Sequence, residues 1–565
     1  MSNEKNTGFS PTPGQFKAIN HRGHDVLVAA SAGSGKTKVL IERVLKQVVD
    51  NRVDLSSMLI VTFTEAAAKE MRDRLTKELQ NKLSDLVAAN DPNQADLINW
   101  IRRQLLAVNV ADISTIHAFC LHLIQKYYYT CDIEPDFRLI SDDTERSLIR
   151  DDVWDTVREK FYQKLEDSYQ SNNSLTTSQR QDAQLFEKLL QIFAKDRDDD
   201  DFSELVMRAD EFASATSDPQ KWLLSLSQTY KVQEQEDVSA SFLWQNTLKE
   251  IVVSQLNEII TNVQKRNDLY ADTLRPEMEE YWNSEVSSDL KDYAKKKRDR
   301  FEKYDKKQQQ QVAELSTLQE LLNAVNLDFA YDKIRELARN CKLSGKPSLV
   351  KRTSETRPND LNDQAISTNE QMKKYQDFEN DLLTKHLIPD YFALSGSELI
   401  SLMQRSEKIL DKFAEVVLAF RDEYQQEKKH RHLLDFNDLE HYALQIVSAP
   451  TDESRQIKSM LQKRYSEIMV DEYQDTNGVQ EALLTAIKKT DPSNMFMVGD
   501  VKQSIYRFRQ ADPALFNRKY HDFVEVKDGN LSVDQIGEKI ILAENFRSVQ
   551  NVADLTNLIF RQLMD

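Results

Sequence analysis

Apolar positions gather in short unbroken runs at 25–30 (DVLVAA), 59–64 (LIVTFT), 467–470 (EIMV), 495–498 (MFMV) and 539–543 (KIILA). Continuous runs of this length, without polar alternation, are the pattern of strands buried on both faces. After the first run the period changes. Leu40, Val44 and Val48 recur every fourth residue, the spacing of a helix with one apolar face. The second run leads into an alanine-rich helix over 65–75. Strand-then-helix units of this kind predict an α/β fold with a parallel sheet covered on both sides. Between about 126 and 445 the texture is helical, charged and glutamine-rich, and strand signals return only after Tyr465. The simplest organisation is one sheet domain interrupted by a large all-α insertion. Its first half occupies 1–125, the insertion 126–450 and the second half 451–537, while 538–565 opens a further domain. The Pro-, Ser-, Thr- and Asn-rich stretch 346–370 reads as loop.

Glycine usage sharpens the helical expectation. The 565 residues include only 11 glycines, and none lies between Lys36 and Ser344. Glycine is the residue most used for tight turns and left-handed caps, so this span predicts long helices with few sharp corners. A hydrophobic fraction of 40% excludes a disordered chain. No apolar run reaches the ~18 residues of a membrane helix, and the first residues lack the apolar core of a secretory signal. Cys120, Cys131 and Cys341 form no Cys-x-x-Cys pair, which argues against a zinc ribbon or disulfide scaffold and suits a cytoplasmic protein. The net charge of −18 argues against polyanion binding by the whole surface, but not against a local basic groove. The densest basic stretch, 291–307, reads as a solvated helix face or as a contact to DNA.

Candidate chemistry begins between the first strand and its helix, at Gly33-Ser34-Gly35-Lys36-Thr37. A loop in that place turns backbone N–H groups towards a phosphate. Lys36 then neutralises β- and γ-phosphates and Thr37 offers its hydroxyl to Mg²⁺. Such a loop needs an acid at a neighbouring strand end. The pair Asp471-Glu472 closes the run at 467–470, placing Asp471 to hold Mg²⁺ and Glu472 to orient and deprotonate an attacking water. The chain from Lys36 to Asp471 is far longer than one nucleotide-binding domain needs, so the insertion lies between two halves of one ATP site.

Taken together, the ordered motifs from Gln15 to Arg547 resemble the superfamily 1 helicases of the UvrD/PcrA/Rep/RecB group. The resemblance implies a RecA-like P-loop motor domain (1A), a 1B-like insertion and the start of a second motor domain (2A). Thr12-Pro13-Gly14-Gln15 is similar to the group's adenine-reading motif, with Gln15 as reader. Ala30-Ser31-Ala32-Gly33-Ser34-Gly35-Lys36-Thr37, followed by Lys38, is similar to its phosphate loop. The resemblance implies DNA contacts at Phe63 and Thr64 within Thr62-Phe63-Thr64-Glu65, and at His117 within Ser114-Thr115-Ile116-His117. In Gly499-Asp500-Val501-Lys502-Gln503-Ser504-Ile505-Tyr506-Arg507-Phe508-Arg509 it makes Gln503 a γ-phosphate sensor and assigns Tyr506, Phe508 and Arg509 to DNA. In Glu544-Asn545-Phe546-Arg547-Ser548 it makes Arg547 an arginine finger and lays Phe546 against adenine.

The stretches STIHAFC (114–120), LDFNDL (434–439) and VKQSIYRFRQADP (501–513) resemble the AddA (RexA) type of helicase–nuclease within that group. That likeness implies an ATP- and Mg²⁺-dependent 3′→5′ single-stranded DNA translocase or helicase. It would work on single-stranded, forked or blunt-ended DNA with an AddB/RexB-type partner, processing double-strand breaks for recombination repair. The group's later motor motifs and nuclease domain have no counterpart in the sequence. An N-terminal fragment that binds ATP and DNA without unwinding is therefore expected. A stand-alone UvrD/PcrA-like repair helicase and a non-translocating DNA-binding P-loop ATPase are the alternatives.

Overall fold

The computed structural model describes residues 10–170, 176–194, 199–233, 236–283, 291–343, 363–505, 510–526, 531 and 535–564. Eight strands run in chain order: β1 (Val26–Ala30), β2 (Met58–Thr62), β3 (Asp112–Thr115), β4 (Arg138–Leu139), β5 (Leu433–Leu434), β6 (Glu467–Val470), β7 (Met495–Gly499) and β8 (Glu538–Leu542). Six of them form one sheet in the order β3-β2-β6-β7-β1-β8, and every pairing in it is parallel. Strands β4 and β5 form a separate two-stranded pair.

The continuous apolar runs became strands buried on both sides because successive residues feed opposite cores. Val26, Val28, Ile60, Met469, Phe496 and Val498 pack against helices α1 (Pro13–Asn20), α2 (Lys36–Val49), α3 (Glu65–Ala89) and α4 (Ala95–Ala107) through Val39, Leu40, Val44, Met71 and Leu75. Their neighbours Leu27, Leu59, Val61, Ile468 and Met497 face α5 (Ile116–Tyr127) and the helix Phe436–Ser448 through Phe119, Ile124, Leu439 and Ile446. A half-buried sheet could not use such a sequence without exposing one of these sets.

Three expected boundaries move. Strand β8, expected to open a further domain at 538, pairs with β1 from Val26↔Glu538 to Ala30↔Leu542 and completes the first sheet. The expected insertion 126–450 is too wide. Its compact unit comprises 176–189 and 224–414, whereas the described residues of 126–175, 190–223 and 415–450 belong with the sheet. The helix Phe436–Ser448 gives Leu439, Ala443, Ile446 and Val447 to the sheet's own core.

The helical unit has a core of its own, built on Trp244, Val252, Leu256, Ile259, Leu318, Leu321 and Phe392. Trp244 meets the Tyr331 ring edge-on at 5.6 Å. The glycine-poor span does run in long helices, with 27 residues in Asp143–Tyr169 and 36 in Lys291–Asn326. Among the described residues of that span the left-handed positions are Arg52 (φ 56°), Asn90 (φ 49°), Asp132 (φ 53°) and Asp328 (φ 51°); three of the four are short polar side chains, which tolerate this conformation best after glycine. Within the stretch expected as loop, 346–362 lies outside the described residues and 363–370 begins the helix Asp363–Asp381. No helix among the described residues is long and apolar enough to cross a membrane.

Candidate functional site

All the motifs with described residues converge on the carboxyl end of the parallel sheet, the edge where α/β folds bind ligands. On α1, Thr12 and Gln15 form a reciprocal cap: the Gln15 N–H donates to Thr12 Oγ1 (3.3 Å) and the Thr12 N–H to Gln15 Oε1 (3.1 Å). The remaining donor of that amide, Gln15 Nε2, reaches the Ser34 carbonyl at 3.0 Å. Gln15 is only 2% exposed, so the residue expected to read adenine is engaged as a brace under the phosphate loop.

Beyond buried Ala30, the exposed Ser31 and Ala32 lead into Gly33 and Gly35, held at φ 78° and 87°, where side chains are strained. Gly35 caps α2, so the loop's N–H groups and the positive end of the helix dipole lie together. Thr37 is half-buried in the first turn of α2. Lys38 lies 2.7 Å from Glu42 and 3.7 Å from Glu78 of α3, engaged along the helices. Lys36, its side chain 12% exposed, extends to Glu472 with Nζ 3.2 Å from Oε2.

The acids sit where β6 ends. The Asp471 N–H donates to the Val61 carbonyl (2.9 Å), continuing the sheet by one residue, and Glu472 then turns the chain at φ 50°. Burial first, then the adjacent Glu472 charge, pushes the Asp471 carboxyl up to about 6. The same two causes push Asp475 up to about 6. Gln474, 1% exposed, ties this turn together. Its Nε2 donates to Glu472 Oε2 (2.9 Å) and Asp475 Oδ2 (3.2 Å), and its Oε1 accepts the Asp500 N–H (2.9 Å). Gln503 Nε2 in turn donates to Asp500 Oδ2 at 2.6 Å. Lys36, Glu472, Gln474, Asp500 and Gln503 thus form one hydrogen-bonded row across the ends of β1, β6 and β7. Asp500 lay inside a quoted motif and Gln474 two residues beyond the acidic pair, but only the fold shows that they bridge the two.

The segment after β8 packs on the phosphate loop. The Phe546 N–H donates to the Gly33 carbonyl (2.8 Å), while Asn545 Oδ1 accepts the Arg547 and Ser548 N–H groups (2.8 and 3.1 Å). A Cβ on Gly33 would lie 2.6 Å from Asn545 Oδ1, so this contact also requires glycine there. Phe546 and Arg547 are exposed. Expected from a second domain across a cleft, Arg547 instead leaves the strand beside β1 in the same sheet.

A groove of about 410 Å³ opens beside this row, lined by Phe63, Thr64, Glu65, Thr115, His117 and Phe436 among others. Thr64 caps α3 by accepting the Ala67 N–H (3.1 Å), which fixes the turn carrying Phe63. The His117 ring lies 5.0 Å from that of Phe436, and its Nε2 is 3.0 Å from Glu440 Oε1. Burial opposes ionisation of Glu440, but hydrogen bonds from His117, Asn477 and Gln480 outweigh it and hold its carboxyl below the ordinary value. Three residues expected at DNA therefore share one groove: Phe63, Thr64 and His117. Phe436 and Glu440, within or beside LDFNDL, had no assigned role because nothing local shows that they meet His117. Tyr506, Phe508 and Arg509 lie outside the described residues.

The family model for the UvrD/REP helicase N-terminal domain matches residues 12–232 and 221–524. One relative, an ATP-dependent helicase/nuclease subunit of Ligilactobacillus salivarius (strain UCC118), is 39% identical over 558 residues, 99% of this chain and 39% of that protein. The protein of the same name from Latilactobacillus sakei subsp. sakei (strain 23K) is 37% identical over 557 residues, 98% of this chain and 55% of that one. The chain thus spans between 39% and 55% of the length of these two relatives. With the family matched from 12 to 524, the chain belongs to the UvrD/REP helicase family.

Proposed function

We propose that the chain is the ATP-binding first motor portion of a 3′→5′ single-stranded DNA translocase. It serves a heterodimeric helicase–nuclease that processes double-strand breaks for recombination repair, its partner being a protein of the AddB/RexB type. One observation carries the reading: the Lys36–Glu472 contact at 3.2 Å, joined through Gln474 and Asp500 to Gln503. It supports the reading because a lysine, a glutamate and a glutamine suited to bind phosphate, activate water and sense the γ-phosphate belong to one hydrogen-bonded row.

The residues present fit ATP with Mg²⁺. Asp471, Glu472 and Asp475 crowd a single ammonium, and two of the three are pushed up to about 6, an excess of negative charge that a divalent cation would relieve. Ser34 Oγ is buried in the loop without a hydrogen-bond partner among the described residues. When bound, ATP with Mg²⁺ supplies a γ-phosphoryl centre open to attack by water. Lys36 moves its charge from Glu472 to the β- and γ-phosphates. Glu472, so released, would orient the water and accept its proton, and Thr37 and Asp471 are the residues that would hold the metal. Gln503 and Arg547 sense and stabilise the γ-phosphate charge. Phe63, Thr64 and His117 hold the strand in the groove, and Tyr506, Phe508 and Arg509 add stacking rings and a cation. Such stacking contributes ~1–3 kcal/mol per base whatever the sequence.

Titration of the chain with a fluorescent ATP analogue and Mg²⁺ tests the reading, with Lys36→Ala alongside. The substitution is expected to weaken binding by at least about tenfold, as a lost charge-assisted contact worth ~1.5–3 kcal/mol requires. Equal affinity of the two proteins, or no binding by the unaltered chain, would overturn it. Stopped-flow translocation on oligonucleotides labelled at either end, using the whole protein, decides the direction.

A further inference from the structure

Glu440 is a buried carboxylate, 2% exposed, contacted by three side chains from two separate places in the sheet-bearing unit, the start of α5 and the start of the helix Gly478–Ile487. His117 Nε2, from the first turn of α5, lies 3.0 Å from Oε1. Gln480 Nε2 donates to the same oxygen at 2.6 Å, and Asn477 Nδ2 donates to Oε2 at 2.8 Å. Neither the phosphate chemistry nor the groove by itself requires such a residue.

Its two ends have different neighbours. His117 lines the groove and packs on Phe436. Asn477 is the cap of the helix Gly478–Ile487, its Oδ1 accepting the Gln480 N–H at 2.8 Å, so both ends of its amide are committed. Asn477 also ends the turn that starts at Glu472. That turn is closed by the Asp475 N–H on the Glu472 carbonyl (2.9 Å) and the Thr476 N–H on the Tyr473 carbonyl (3.2 Å). From the groove histidine, hydrogen-bond contacts lead through Glu440 to Asn477, and from there the hydrogen-bonded backbone turn leads on to Glu472.

We propose that Glu440 is a positioning residue that couples occupancy of the groove to the geometry of Glu472; this rests on the function proposed above. A base or phosphate that engages His117 must either keep its bond to Glu440 or break it. Breaking it strips a donor from a dry carboxylate, an unfavourable outcome, so the ring and the Asn477 turn shift together. The consequence is a reciprocal linkage: nucleotide changes the affinity for DNA, and DNA changes the affinity for nucleotide by the same factor.

The test measures that factor without turnover. Anisotropy of a labelled oligothymidylate is titrated with the chain, with and without saturating Mg²⁺ and a slowly hydrolysed ATP analogue. The expected factor is about fivefold or more in the unaltered chain. In Glu440→Gln, whose amide cannot accept from all three donors, it is expected to fall to about one, while each ligand alone binds within about threefold of its usual affinity. If Glu440→Gln does not fold, Asn477→Ser takes its place, since serine keeps the helix cap but is too short to reach Glu440. Retention of the full factor in the folded variant overturns the proposal. So does its loss together with both separate affinities, which marks a merely structural residue, or a factor of one in the unaltered chain with both ligands bound. An unaltered chain that binds neither ligand instead removes the function on which the proposal rests.

Discussion

Asp471 shows what the site requires of single residues. Its burial, and then the charge of its neighbour Glu472, raise it to about 6, so it is mostly ionised only above that pH. If Asp471 holds Mg²⁺, the Mg²⁺-dependent part of nucleotide affinity falls as pH drops through about 6. Titrations of a fluorescent analogue between pH 8 and 5, with and without EDTA, check this, and a flat profile would count against a metal role. The stability effect has the opposite sign. A carboxyl whose folded value is raised takes up protons on folding, so its contribution to stability is greatest below the ordinary carboxylate range and declines as pH rises through about 6. Asp471→Asn removes that burden above pH 6. It is expected to raise the melting temperature at pH 8 by roughly 2–4 °C, the effect of about 1 kcal/mol, while abolishing the Mg²⁺ dependence.

Elements, unlike residues, were placed here by partners far away in the chain. Strand β8 shows it best. Its apolar run was legible, but not its membership of the first sheet, because parallel pairing leaves no local mark. At its first residue, Glu538 is fully buried, with His21 Nδ1 at 2.8 Å and His24 Nε2 at 2.9 Å. Burial raises this carboxyl, yet the two histidines more than compensate and hold it below the ordinary value. Its stabilising contribution is therefore present above the unfolded carboxylate range and lost as pH falls through the lowered folded value. Glu538→Gln should loosen β8 selectively. Hydrogen exchange of the amides from Lys539 to Leu542 should quicken at neutral pH while those of β7 stay protected, and equal protection would show that the clasp does not hold the strand. The helices were more legible than their ends. Long amphipathic spacing announced them, whereas Asn90, Asp132 and Asp328 turn the chain in a conformation normally left to glycine.

At the scale of the whole molecule, the two faces of the sheet each have a core, and the helical unit has its own around Trp244. The helical unit carries the basic stretch 291–307 on the helix Lys291–Asn326, where Lys295, Lys303 and Lys306 are exposed. A chain with net charge −18 that binds DNA must do so through local cations, so salt dependence is the revealing measurement. Replacing Lys295, Lys296, Lys297 and Arg298 with alanine is expected to flatten the slope of log K against log[salt] for forked DNA by up to ~0.9 per phosphate contact removed. An unchanged slope would make the stretch a solvated helix face.

What the sequence determined by itself was everything encoded within a few residues of itself. Buried strands, amphipathic helices, the strand–glycine–lysine–helix phosphate loop and the acids closing a strand all follow from periodicity and turn chemistry along one short segment. Only the tertiary structure decided the order β3-β2-β6-β7-β1-β8, the place of β8 and the extent of the helical unit. It alone set Gln15 under the loop, Gln474 between Glu472 and Asp500, and Glu440 between His117 and Asn477. Each of those relations joins a donor and an acceptor that only the folded topology brings within reach, and a hydrogen bond's 3 Å range leaves no imprint on the spacing of residues along the chain.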